Sequence, residues 1–191
     1  MDHSTHDRIA EAAMRILAKE GADAVSMRRI ARAIGITPMA IYHHFPDRDA
    51  LLQAITAREF DRLAALMAAH PAEIGENSFT RILDFYIDYA FQNPRVFDYL
   101  YSHPRPGARQ FPKDFRERQS PTMNRTVDEL TSAIKSGVLR KDDIWELGMM
   151  IWALIHGYVA LYRAGRIGLD EKQFRALCHR ALRRLFHGLK A

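Results

Sequence analysis

A chain of 191 residues, 48% apolar and 27% charged, can bury one substantial core or build a small head on a larger body. Its formal charge of +5 suits a nucleic-acid partner but does not locate one, because residues 1–64 hold nine Lys or Arg against nine Asp or Glu. The single cysteine, Cys178, excludes an internal disulfide and a cysteine-based zinc cluster, and the polar opening MDHSTHDR carries no secretory pattern. The longest uncharged stretch, residues 147–162, is shorter than the roughly 20 residues of a membrane span. A cytoplasmic protein without a membrane partner is expected.

In chain order, the apolar spacing is helical almost throughout, and no run alternates at a period of two. A first helix over residues 5–20 places Ile9, Ala13, Ile16 and Leu17 on one face and stops at Gly21. Residues 26–45, SMRRIARAIGITPMAIYHHF, then describe two short helices meeting at a tight turn. Ser26 is a good N-cap, and Met27, Ile30, Ala31 and Ile34 form the apolar side of the first. Gly35 supplies the backbone freedom of the turn. Thr37 restarts a helix as its cap, with Pro38 where a missing N–H costs nothing. Arg28, Arg29 and Arg32 lie on the first of these helices with no acid among them. This is the pattern of a helix-turn-helix that reads DNA.

Asp47 starts a longer helix to about residue 69, with Leu51, Leu52, Ile55, Leu63 and Leu66 on its apolar side. Residues 71–77 punctuate the chain. Residues 79–91 form an amphipathic helix ended by Asn93-Pro94, and 96–101 a short helix or turn. Four prolines and Gly107 mark 102–121 as a mobile loop. Helices over 122–136, 142–164 and 170–189 complete an all-α fold of about nine helices. The expected division is a three-helix DNA-binding head at 1–47, a linker helix at 48–70, and a larger helical body at 71–191.

The head resembles the DNA-binding domain of the tetracycline-repressor (TetR) family of bacterial transcription regulators. The matching residues are Ala12, Ala13, Ile16, Leu17, Glu20 and Gly21, then Ser26 to Ala31, Gly35 to Thr37, Ile41 to Phe45, and Asp47 to Leu52. Arg48 departs from the lysine usual there, and Met39 replaces a small residue, which would alter the base pair read. Trp152, His156 and Gly157 match the W-x-x-x-H-G signature of one C-terminal domain type. The resemblance implies a homodimer through the last two helices, a ligand cavity among the middle helices, and a repressor released by a small molecule. No cofactor is expected, and an unidentified effector is.

The expected DNA-binding residues are Ser26, Arg28, Thr37, Pro38, Met39, Tyr42, His43, His44 and Arg48. Arg28 lies where a helix N-terminus already favours an anion, though a solvated arginine would look the same. Tyr42 offers a ring and a hydroxyl at the middle of the recognition helix. His44 is placed at a phosphate by the resemblance. Arg48 would pin the groove's opposite edge, with an ion pair to Asp47 or Asp49 as the alternative. His43 and His44 are adjacent on a helix and point about 100° apart, so they share no metal. His3 and His6 are expected to be disordered, and Cys178 buried and inert.

Tyr86, Tyr89, Tyr101, Met123, Met149, Trp152 and His156 could line a pocket for a small apolar or aromatic ligand, with ordinary packing as the alternative. The expected partner is a palindromic duplex with half-sites one helical turn, roughly 34–36 Å, apart. Two rivals are a helical enzyme or carrier with an idle head, and a ligand-independent architectural DNA binder. The lack of a nucleophile–base pair or a phosphate loop counts against the first.

Overall fold

In a computed structural model, residues 4–69 and 76–190 are described, and they form ten α-helices. His3 and positions 71–75 of the expected break at 71–77 lie outside them, and its last two residues open a helix. Each early helix ends where its side chains dictate. In α1 (Thr5–Glu20), the Ser4 hydroxyl accepts from the Asp7 N–H, and Ile9, Ala12, Ala13, Ile16 and Leu17 are buried. α2 (Met27–Ile34) starts at Ser26, which accepts from the Arg29 N–H, and stops at Gly35. Gly35 has φ +73°, a left-handed conformation costly for residues with a Cβ. α3 (Pro38–Tyr42) is capped by Thr37, which accepts from the Ala40 N–H. Five residues cannot hold a helix alone. Its anchor is Ile41, fully buried, against an α2 whose Ile30 is also fully buried. Burial of one such side chain contributes about 1.5–3 kcal/mol.

α4 (Arg48–Ala68) opens with the Asp47 carboxylate accepting from the Ala50 N–H at 2.7 Å. Leu51, Leu52, Ile55, Phe60 and Leu63 are buried, whereas Leu66, expected on the apolar side, is 40% exposed. α5 (Glu76–Gln92) precedes α6 (Pro94–Phe97), which runs on into a wider turn over Asp98–Ser102.

Two compact units result: one holds the residues up to 62 with 92–108, the other 63–91 with 109–191. The reason the first takes in 92–108 is visible in its contacts. Arg95 donates to the Lys19 carbonyl, and Tyr101 packs on Phe97 and edge-on against Phe60 at ring separations of 5.0 and 5.6 Å.

In the second unit, α7 (Lys113–Arg116) lies inside the expected mobile loop and is the helix the sequence did not announce. Its Phe115 is buried with Met123 and Val127 of α8 (Pro121–Lys135). Arg116 pairs with Asp143 and Arg118 with Asp128, so the segment is tied at both ends of the turn. α9 (Ile144–Arg163) is 20 residues long, enough by length and composition to cross a membrane, contrary to the shorter stretch read from the sequence. The helix gains its length from Ile144, Trp145 and Glu146 at one end and Arg163 at the other, beyond the uncharged stretch. Leu147, Ile151, Ile155 and Val159 turn one side of it into the core, and Gly148 lets it press on α8, where an added Cβ would meet the Met123 sulfur at 3.0 Å.

α10 (Glu171–Leu189) starts in a capping box: Asp170 accepts from the Gln173 N–H, and the Gln173 side chain accepts from the Asp170 N–H. Phe174, Cys178, Leu182 and Phe186 are its buried stripe. α5 lies along it through Phe79 on Phe186 and Phe91 on Phe174, with Asp84 bonded to His179 and Asp88 to Arg175.

Candidate nucleic-acid interface

Thr37, Pro38, Met39, Tyr42, His43 and His44 are all exposed, as are Ser26 and Arg28. Met39 is 67% and Tyr42 49% open to solvent, three residues apart and so on one face of α3. Ile41 and Phe45 point the other way and are buried, which is what aims that face outward. The caps leave chemistry to spare. The Ser26 and Thr37 oxygens accept backbone N–H groups, so each hydroxyl hydrogen remains available to a phosphate oxygen.

The three arginines of α2 part company. Arg29 bonds to Glu20, and that bond is the largest influence holding the Glu20 carboxyl below its usual range. Among the described residues, Arg28 and Arg32 show no ion pair and are exposed. Arg8, from α1, donates to the Ile34 carbonyl at 3.0 Å, satisfying an acceptor at the end of α2. His6, expected to be disordered, stacks on Phe45 at 4.6 Å and meets His44 edge-on at 6.2 Å. It therefore packs, still exposed, against the residues that follow α3. The sequence offers only a histidine in the first turn of α1, which carries no hint of partners at His44 and Phe45.

Arg48 reaches back across the head. Its Nε donates to the Val25 carbonyl at 2.8 Å and its Nη2 to the Ala22 carbonyl at 2.6 Å. The remaining Nη1 lies 3.7 Å from Asp49, the ion pair weighed as an alternative.

The expected pocket residues divide. Trp152 Nε1–H donates to the Tyr86 hydroxyl at 3.2 Å, and that hydroxyl lies 2.8 Å from His156 Nδ1. The indole N–H can only donate, so the Tyr86 oxygen is an acceptor there and has both a hydrogen and a lone pair with which to meet His156 Nδ1. Met123, Met149 and Trp152 belong to the apolar cluster around Phe115 and Val127. Tyr89 is buried. Tyr101 is not with them: it packs in the first unit on Phe60 and Phe97. Cys178 is buried, and burial pushes its thiol up to about 11, so it stays protonated and unreactive at neutral pH.

With this geometry in hand, residues 9–55 match the model of the bacterial regulatory proteins of the tetR family, and residues 79–185 that of the tetracyclin repressor-like C-terminal domain. The chain is 41% identical over 59 residues to the HTH-type transcriptional repressor Rv1474c of Mycobacterium tuberculosis, a match covering 31% of this chain and 32% of that one. A protein of unknown function from Rhodococcus sp. RHA1 shares the fold with TM-score 0.81 and 25% identity, over 100% of this chain and 98% of its own. The transcriptional regulator FadR of Bacillus subtilis, in complex with stearoyl-CoA, has TM-score 0.74 at 17% identity, over 97% of this chain and 100% of its own.

Proposed function

Since the chain belongs to the tetracycline-repressor family of bacterial transcription regulators, we propose that it works in the cytoplasm as a homodimeric repressor that leaves its operator when a small ligand binds. The family is one of DNA-binding regulators and not of enzymes. The observation that carries the reading is the outer face of α3, an exposed Met39 and Tyr42 on a helix too short to exist except as something presented by a folded head. That face enters a major groove. Tyr42, Met39 and His43 touch base edges, while Ser26, Arg28, Thr37, Pro38 and His44 contact or pack on the backbone.

One head offers too few phosphate contacts to bind specifically, so a second copy is needed. Support for pairing comes from the side of α9 opposite its core face. Met150, Ala153, Ala160 and Leu161 are exposed there, and α10 adds the exposed Gly188 beside half-buried Ala181 and Leu185. An uncovered apolar stripe with small residues suits the close, self-complementary contact of a two-fold dimer.

For the ligand, support comes from the Tyr86–Trp152–His156 network amid the aromatic and methionine cluster, a mixture that suits an apolar or aromatic molecule with a polar group. The stearoyl-CoA complex of the Bacillus subtilis protein supports a ligand-binding role for this fold. Release follows only to the extent that the ligand prefers the arrangement of heads that DNA does not.

Selection of bound fragments from random duplex DNA, with sedimentation of the protein alone, tests this. A palindrome with half-sites about 34–36 Å apart and a dimer are expected. Enrichment of no sequence, or of an asymmetric single half-site by a monomer, would overturn it.

A further inference from the structure

We infer that Arg48 is a positioning residue for DNA reading, one that braces the connection between α1 and α2 and does not contact a phosphate. Between Gly21, where α1 ends, and Ser26, the cap of α2, the chain makes a 3₁₀ turn over Ala22–Ala24 in which the Ala22 carbonyl accepts the Val25 N–H at 3.0 Å and keeps a second lone pair. Arg48 reaches back from the first turn of α4 and holds the carbonyls of Ala22 and Val25 with two nitrogens of one guanidinium edge. A planar fork can satisfy two acceptors three residues apart, whereas a lysine ammonium is a single point. Arg95 acts on the same connection from α6, donating to the Lys19 carbonyl.

What this brace fixes is the entry to the recognition motif. Val25 is buried and directly precedes Ser26, the cap of α2, and α2 carries α3 on its far side. Setting the Val25 carbonyl therefore sets the angle at which α3 leaves the head. The cleft of about 360 Å3 beside the connection is lined by Arg48, Arg95 and Arg105 together with Asp23, Asp49 and Asp98, so its formal charges balance and the arginines already have carboxylates beside them.

The inference rests on the head reading DNA, so the test has one arm that needs no DNA. Hydrogen exchange on full-length protein compares wild type with Arg48→Lys and Arg48→Ala. Faster exchange at the Arg29 and Ile30 amides, with the α1 interior unchanged, is expected in both variants. Unchanged exchange would overturn the brace, whatever happens with DNA.

The second arm measures affinity for the duplex selected by wild type, and for a random duplex of the same length, over a salt series. Both Arg48 variants should lose roughly tenfold to a hundredfold on the selected duplex, and little on the random one. Their salt dependence should match wild type, while Arg28→Ala, removing a proposed phosphate contact, should lower the slope by about 1. If Arg48→Ala lowers the slope in the same way and Arg48→Lys restores binding, the side chain is a phosphate contact and the inference is wrong. Should a variant fold poorly, Arg95→Ala repeats the exchange measurement on the Lys19 side. Acceleration limited to the α1–α2 connection supports the brace, and none overturns it.

Discussion

α3 and α9 both leave large apolar side chains in water, yet they do so for opposite structural reasons. α3 is five residues long and exposes Met39 and Tyr42 because the fold buries only Ile41 of it. Its exposed face is hemmed by polar neighbours, Thr37, His43 and His44. α9 is four times as long, and its exposed Met150 and Leu161 sit on a stripe with Ala153, Gly157 and Ala160. Mixed apolar and hydrogen-bonding groups suit base edges and phosphates, whereas an unbroken stripe of small and apolar residues suits another helix. Exposure alone does not identify a partner. The company each exposed residue keeps does.

The two glycines of α9 sharpen the contrast. They are nine residues apart, about two and a half turns, so they look out of opposite sides. An added Cβ at Gly148 would strike α8, while at Gly157 it would meet nothing within 4 Å. Gly157→Leu should therefore leave the isolated subunit folded, and more helical by propensity. If α9 pairs with its copy, the same change forces the helices apart. We expect the largest effect of any single substitution: a monomer in sedimentation, and specific DNA affinity reduced at least about a hundredfold. A dimer that persists would move the self-association face elsewhere.

On the α3 side, Tyr42→Ala should cost about 1–3 kcal/mol on the selected duplex and little on random sequence, with unchanged helicity by circular dichroism. Equal losses on both duplexes would make Tyr42 a backbone contact and blur the contrast between the two faces.

The smallest effect concerns how α9 is started. Asp143 accepts from the Trp145 and Glu146 N–H groups and pairs with Arg116, and the Arg116 bond leads in holding its carboxyl below the usual range. A lowered folded-state value means the contribution is complete above the ordinary aspartate range and disappears as pH falls through the lower folded value. Asp143→Ala should lower stability by about 0.5–2 kcal/mol at neutral pH, measured by urea unfolding, with the gap to wild type closing in acid. A gap that persists at pH about 2 would show that packing, not the charge, was lost.

Much of this molecule was legible before any coordinates. The caps Ser26 and Thr37, the break at Gly35, and the buried Ile30, Ala31 and Ile41 stand where spacing put them, because each is a local rule of helix geometry. The exposed recognition face followed from the same periodicity. Three things did not follow. α7 hides in a Pro-rich segment because four residues carry no periodicity, and its anchor is one buried Phe115. Tyr101 was grouped with the pocket aromatics since composition cannot say which core a ring joins. His6 under Phe45 depends on a contact 39 positions away.

Sequence alone therefore determined the helices, their ends and the faces that α2 and α3 turn inward or outward, since hydrogen bonds to caps and a 3.6-residue repeat act over a few neighbours. Tertiary structure alone decided the fate of the long cationic side chains. Arg28, Arg29 and Arg48 look alike on paper. In the fold one stands in solvent, one is held by Glu20, and one grips the carbonyls of Ala22 and Val25. A guanidinium on a flexible stem takes the best acceptor within reach, and only packing distant segments together sets what lies within reach.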